Sequence, residues 1–210
     1  MSSILFLGDS VTDCSRKRAA RYQGLPESLG DGWVSKVGSV LQARPQEYQL
    51  FNRGYAGCQT HELMSQLDWW PEQLETADIV SVMIGVNDVW MPFWRGLSHN
   101  IDRSLQSFDE LVRRLSERAK QVVICEPVAL PCGEVTQQWW SYMDELAKGQ
   151  RALAAQHGAS FLPLQDALMS TARGKLFDYM SDGVHPTYLG HHWISKQWLS
   201  FVSAQDLIES

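Results

Sequence analysis

Four short segments carry residue types that can do chemistry together. The first is Gly8-Asp9-Ser10, directly after the apolar run Ile4–Leu7. A serine at a strand-to-helix turn presents its Oγ and keeps a backbone N–H free to donate. The second is Asn52-Arg53-Gly54-Tyr55-Ala56-Gly57, where Gly54, lacking a Cβ, lets a backbone N–H approach a ligand. The third is Gly85-Val86-Asn87-Asp88, in which the Asn87 amide can donate to a developing oxyanion. The fourth is Asp182-Gly183-Val184-His185-Pro186. A carboxylate three residues before a histidine can reach its Nδ1–H across a tight turn and fix the tautomer. Nε2 is then left to take a proton from a serine. Singly, each segment has an ordinary alternative as a turn, a loop glycine, a helix cap or a capped loop histidine.

The elements that must position these segments follow from the periodicity of the chain. Short apolar runs predict strands at Ile4–Leu7, Tyr48–Phe51, Asp78–Ile84, Gln121–Cys125 and Ala159–Leu162. Helical spacing predicts helices over about 31–43, 60–68, 101–119, 137–156 and 188–201. Continuous apolar strands alternating with helices call for a parallel sheet covered on both faces. The expectation is one flavodoxin-like α/β/α domain of three layers over residues 1–210, with a central parallel sheet of about five strands. Three of the four segments follow strands one, two and three, and ligands in open α/β sheets bind outside the carboxyl ends of the strands.

Composition narrows the function classes. The chain has 210 residues, 44% hydrophobic and 20% charged, as expected of a globular domain with a sizeable core. A net charge of -6 gives no general attraction to phosphate backbones, so no nucleic-acid partner is expected. No apolar run approaches the roughly 18–20 residues that span a bilayer, so no membrane partner is expected either. The N-terminus has no basic region and only a short apolar stretch, and Cys14, Cys58, Cys125 and Cys132 show neither a CxxC pair nor metal spacing. A cytoplasmic protein with reduced thiols is expected; export would need a leader. Asp9 and Asp13 alone are too few for a metal site, and neither GxGxxG after a strand nor a Walker A string occurs, so neither metal nor cofactor is expected. Arg16, Lys17, Arg18 and Arg21 read as a solvated face, and His191-His192 as packing and surface residues.

Ser10, Gly54, Asn87 and His185 occur in the order S, G, N, H, each in a strand-end or C-terminal setting. This pattern resembles the SGNH (GDSL-type) serine hydrolase family over nearly the whole chain. Gly8-Asp9-Ser10-Val11-Thr12-Asp13-Cys14, Met83-Ile84-Gly85-Val86-Asn87-Asp88-Val89-Trp90 and Asp182-Gly183-Val184-His185-Pro186-Thr187 are similar to its branch of intracellular acetylxylan and related carbohydrate esterases. Two departures touch the rim of the oxyanion loop: Tyr55-Ala56 stand where the branch often has Ile-Ser, and Cys58 where it usually has Asn.

The resemblance implies that Ser10 is the nucleophile, His185 the general base and then acid, and Asp182 its orienting partner. It further implies an oxyanion hole made by the N–H groups of Ser10 and Gly54 and the Asn87 side chain. The reaction would be acyl transfer through an acyl-Ser10 ester, followed by water attack. Asp9, Tyr55, Trp90 and Trp94 are the candidate substrate-binding residues, the aromatic ones because indole and phenol rings next to the motifs can face a sugar. Trp69-Trp70 and Trp139-Trp140 read as core or interface. The expected partner is a small ester or acetylated sugar, and nine tryptophans are compatible with a homo-oligomer. Two alternatives stay open: a thioesterase or lysophospholipase-like enzyme for longer acyl chains, and a non-catalytic carbohydrate-binding protein on the same fold.

Overall fold

Strand β1 (Ser2–Gly8) divides its side chains between two cores. Ile4 and Phe6 enter one, Leu5 and Leu7 the other, and all four are fully buried. Such a strand must lie inside a sheet covered on both faces. In the computed structural model, which describes residues 2–66 and 69–208, β1 pairs in parallel with β2 (Tyr48–Gly54) on one side and β3 (Ala77–Met83) on the other. β4 (Ala119–Cys125) and β5 (Ser160–Leu162) continue the sheet beyond β3, again in parallel. The order β2-β1-β3-β4-β5 is the doubly wound, flavodoxin-like one that the strand pattern predicts.

The helices, in chain order, are α1 (Ser10–Asp13), α2 (Trp33–Gln42), α3 (Thr60–Leu63), α4 (Val86–Arg95), α5 (Ile101–Ser116), α6 (Trp140–Gln156), α7 (Gln165–Thr171), α8 (Leu176–Tyr179) and α9 (Tyr188–Ala204). α2, α7 and α9 bury Trp33, Val37, Leu168, Ile194 and Trp198 against the face of Ile4 and Phe6. The Phe6 ring lies 5.1 Å from Trp33 and 5.2 Å from Trp198. The Trp198 indole donates to Ser81 Oγ at 2.9 Å, so this core tryptophan is satisfied without water. α5 covers the opposite face with Phe108, Leu111, Val112 and Leu115.

Several boundaries differ from the sequence expectation. β2 does not stop at Phe51; it runs through Asn52 and Arg53 to Gly54, in register with Gly8. The helix expected near 60–68 is only the single turn α3; residues 67 and 68 lie outside the described residues. The segment after β3, where the periodicity predicts no helix before about 101, forms α4, which holds Pro92 in its interior. The helix expected over 137–156 opens with a 3-10 turn, Gln137–Trp139, before α6. Among the described residues, no helix is long and apolar enough to cross a membrane.

The strand order reverses between β1 and β3, so the crevice outside their carboxyl ends is the topological switch point. Ser10 follows β1 and Asn87 follows β3, so two of the four chemical segments flank that crevice.

Candidate active site

Ser10 opens α1 directly after β1. Asp9 is the N-cap, its Oδ1 accepting from Val11 N–H at 3.0 Å, and this bond turns the chain sharply enough to present Ser10. Asp9 is thereby buried, with 1% exposure, so it is not in reach of a substrate as the sequence suggested. Burial pushes its carboxyl up to about 7, against the hydrogen bond from Val11 and the charge of His185.

His185 comes from the loop between α8 and α9. Ser181 N–H donates to His185 C=O at 2.9 Å and closes the turn. The Gly183 C=O accepts from Leu130 N–H and the Asp182 C=O from Glu134 N–H, both at 2.8 Å. Gly183 has φ +94°, and a Cβ there would stand 2.2 Å from the Cys132 carbonyl oxygen, so only glycine fits. Within this turn Asp182 Oδ1 accepts from the backbone N–H groups of Val184 (2.9 Å) and His185 (2.7 Å). Its Oδ2 lies 2.6 Å from His185 Nδ1. Burial pushes the Asp182 carboxyl up, but the His185 ring, those two backbone donors and the His185 charge together hold it below the usual carboxylate value. An ionised Asp182 only accepts, so Nδ1 carries the ring proton and Nε2 is the acceptor. Ser10 Oγ lies 3.0 Å from Nε2. Carboxylate, imidazole and hydroxyl thus form one continuous chain of hydrogen bonds, with the geometry of a serine made nucleophilic by a base.

The predicted oxyanion donors divide. Among the described residues the Ser10 N–H has no intramolecular partner, and Asn87, 2% exposed at the start of α4, spends only one amide hydrogen, on the Cys58 carbonyl at 3.0 Å. Gly54 is a correction. Its N–H donates to Asn52 Oδ1 at 2.9 Å, and a Cβ there would lie 2.2 Å from Asp13 N. It is a packing glycine at the end of a strand, sealed against α1. Asn52 completes the seal by donating to the carbonyls of Thr12 (2.7 Å) and Leu29 (2.8 Å). Gly57, three residues on, has open space around it, φ +77° and no hydrogen-bond partner for its N–H among the described residues. It sits between Ala56, which lines a cavity of about 290 Å³ with Ser10 and His185, and Cys58, which binds Asn87. Gly57 stands in the same segment of the sequence, where the sequence reading singles out Gly54.

The remaining candidates also separate. The Trp90 ring is half-buried, 5.5 Å from the His185 ring and 6.1 Å from Trp139. Trp94 is 72% exposed at the last turn of α4. Tyr55 is buried, with Arg16 and Arg18 over its ring at 4.9 and 5.1 Å, so its ring is not open to a sugar. Arg16 is not part of a solvated face: it is buried, and its Nε donates to Gly54 C=O at 2.9 Å. Asp13 binds Arg18 at 2.7 Å and Ala56 N–H at 3.2 Å, which ties the 54–56 segment to α1. His191 packs at the cavity edge, its Nδ1 accepting from Trp33 N–H at 3.2 Å. Trp70 and Trp139 are buried, as core residues should be.

Comparison with known proteins agrees with this arrangement. The model of the GDSL-like lipase/acylhydrolase family matches residues 6–193. An acetylxylan esterase of Geobacillus stearothermophilus is 28% identical over 205 residues, spanning 93% of this chain and 91% of that protein. The solved structure of Axe2, an acetylxylan esterase from that organism, superposes with a TM-score of 0.79 at 26% identity, over 95% of this chain and 93% of that one. A protein from Parabacteroides merdae described as a GDSL-like lipase superposes with a TM-score of 0.81 at 28% identity, over 99% and 96% of the two chains. Variants of Axe2 with a serine, an aspartate or a histidine replaced by alanine are described as catalytic mutants. With its matched family model spanning both the serine and the histidine segments, the chain belongs to the GDSL-like lipase/acylhydrolase family and is a serine-type carboxylic ester hydrolase.

Proposed function

We propose that the protein removes short acyl groups, acetyl foremost, from esters of carbohydrates, through an acyl-Ser10 intermediate. The observation that carries the mechanism is the chain Asp182 Oδ2–His185 Nδ1 (2.6 Å) and His185 Nε2–Ser10 Oγ (3.0 Å). His185 Nε2 takes the Ser10 proton as Oγ attacks the ester carbonyl. Asp182 stabilises the resulting imidazolium. The N–H groups of Ser10 and Gly57 and the free Asn87 amide hydrogen meet the oxyanion, Gly57 taking the place first given to Gly54. The imidazolium then protonates the departing alcohol, and a water molecule, deprotonated by the same nitrogen, releases the acid and regenerates Ser10.

The substrate reading draws on the acetylxylan esterase relatives and on the aromatic residues beside the site. The Trp90 ring, 5.5 Å from the His185 ring, would wall off the acyl side against a long chain. Trp94 lies seven residues beyond Asn87 on α4, about 10 Å along the axis, where its exposed indole can stack on a more distant sugar unit.

The test is a series of p-nitrophenyl esters of increasing acyl length, run beside acetylated xylo-oligosaccharides with the wild type and Ser10→Ala. Acetyl esters should have the highest kcat/KM, acetate should be released from the sugars, and Ser10→Ala should abolish both. Specificity that rises with chain length, with no acetate from sugars, would replace this reading with a long-chain acyl hydrolase. Sugar binding without turnover in the wild type would replace it with a carbohydrate-binding protein.

A further inference from the structure

Asn87 has two amide hydrogens, and one is fixed by the Cys58 carbonyl at 3.0 Å. The direction of that carbonyl therefore sets where the second hydrogen points. Cys58 belongs to no regular element; it lies in the turn between β2 and α3. Upstream it is held by its own N–H, which donates to Tyr55 C=O at 3.1 Å. Downstream the turn is held by Thr60. The Thr60 N–H (3.0 Å) and hydroxyl (2.9 Å) both donate to a single oxygen, Oδ2 of Asp88.

Asn87 and Asp88 are thus adjacent on α4 and grip the same turn two residues apart. Both ends of the second grip are inaccessible, Asp88 with 4% exposure and Thr60 with none. Burial pushes the Asp88 carboxyl up, while hydrogen bonds from Ser104 and Thr60 and the charge of His61 pull against it. Burying a carboxylate is costly, and at the start of α3 it serves one residue, the N–H and hydroxyl of Thr60. Gln59 and Glu62 already form a capping box there, with Glu62 Oε2 accepting from Gln59 N–H at 2.8 Å.

We propose that Asp88 is a positioning residue: its carboxylate clamps Thr60 so that the Cys58 carbonyl aims the Asn87 amide at the oxyanion. The proposal rests on the reading of Asn87 as an oxyanion donor. Asp88 touches no reacting atom and acts only through its neighbour.

The experiment is a double-mutant cycle on kcat and KM for p-nitrophenyl acetate, with wild type, Asn87→Ala, Asp88→Ala and the double variant. A misplacement on the scale of an ångström at the reacting centre can cost about 100-fold, so Asp88→Ala should lower kcat about 10- to 100-fold with KM changed less than about threefold. In the Asn87→Ala background, with no amide left to aim, the same substitution should cost less than about twofold. Asp88→Asn, whose amide oxygen can accept both Thr60 donors, should recover most of the loss. An Asp88→Ala factor equal in both backgrounds, or a loss confined to KM, would overturn the proposal and leave the Ser10 mechanism standing. Full turnover in Ser10→Ala would instead overturn the underlying reading. Should Asp88→Ala fail to fold, Thr60→Val gives the same cycle by removing one of the two donors. Its loss of kcat should appear with Asn87 and vanish without it; an equal loss in both backgrounds would overturn the proposal.

Discussion

Asp182→Asn exchanges one carboxylate oxygen for an amide nitrogen at nearly constant volume, and the surrounding donors decide which oxygen is lost. Among the described residues Oδ1 accepts two backbone N–H groups, from Val184 and His185, whereas Oδ2 accepts only His185 Nδ1–H. The backbone donors cannot reverse, so the asparagine oxygen stays with them and the NH₂ group faces the ring. An NH₂ group donates; Nδ1 must then accept, and the ring proton moves to Nε2. In that tautomer the imidazole cannot take a proton from Ser10. The same exchange in a serine protease lowers kcat about 10⁴-fold. Here the Asp182 and His185 side chains are 33% and 39% exposed, so water competes for Nδ1 and screens the pair. The expected loss is therefore nearer 10³-fold in kcat, about 4 kcal/mol of transition-state stabilisation. KM should stay close to wild type, and the melting temperature should fall by only a few degrees because both backbone hydrogen bonds survive. Asp182→Ala is the informative companion. It leaves space for a water that can accept the Nδ1 proton, so it should keep more activity than the asparagine variant. Initial rates on p-nitrophenyl acetate decide the matter. A loss under tenfold in Asp182→Asn, or an alanine variant slower than the asparagine one, would refute the tautomer argument.

Two further outcomes concern stability. Gly54→Ala drives a Cβ to 2.2 Å from Asp13 N and 2.7 Å from its Cα, against the backbone of the helix that carries Ser10. It should lower the melting temperature far more than Gly57→Ala, where the added carbon meets nothing within 4 Å and the cost is the left-handed backbone, about 1–2 kcal/mol; equal losses would return Gly54 to an open loop. Burial first, then the charges of Lys36 and His185, lower the His191 pKa to about 4. The unfolded chain takes up this proton near pH 6.5 and the folded one only near 4, so the stability from a neutral His191 is complete above about 6.5 and is lost as pH falls to about 4. Between pH 7.5 and 5 the loss is about 2 kcal/mol. Asp9 runs the other way, costing stability as pH rises from about 4 towards 7, because its folded pKa is raised. Urea unfolding of wild type against His191→Asn isolates the histidine, since Asp9 is common to both; parallel pH profiles would show that folding leaves the His191 pKa unchanged.

The strands and the two ends of the chemistry were legible because their signals are local. Ile4–Leu7 reads as a two-faced strand from four consecutive apolar residues, and Asp182 and His185 meet within one turn whose geometry their spacing already fixes. The misreadings share a cause. Asn52-Arg53-Gly54 looks like a polar stop, yet Asn52 is 1% exposed in the sheet because its amide replaces water with the carbonyls of Thr12 and Leu29 and the N–H of Gly54. Polarity ended β2 three residues early in the sequence reading, which singled out Gly54, inside the strand, as the candidate oxyanion donor rather than Gly57. The same rule misplaced Asp9 and Arg16, and the structure buries Asp88 as well; these three charged residues, of types that composition puts at the surface, are 1%, 6% and 4% exposed. Each is held by bonds to segments distant in sequence or to a turn hidden from periodicity: Val11 N–H for Asp9, Thr60 for Asp88, Gly54 C=O for Arg16. A one-dimensional reading recovers groups that act on a substrate more readily than groups that hold them, because the former are exposed in short motifs. The latter are recognisable only once three strand ends have been brought to the same edge of the sheet, where a buried polar group has partners enough to offset its lost water.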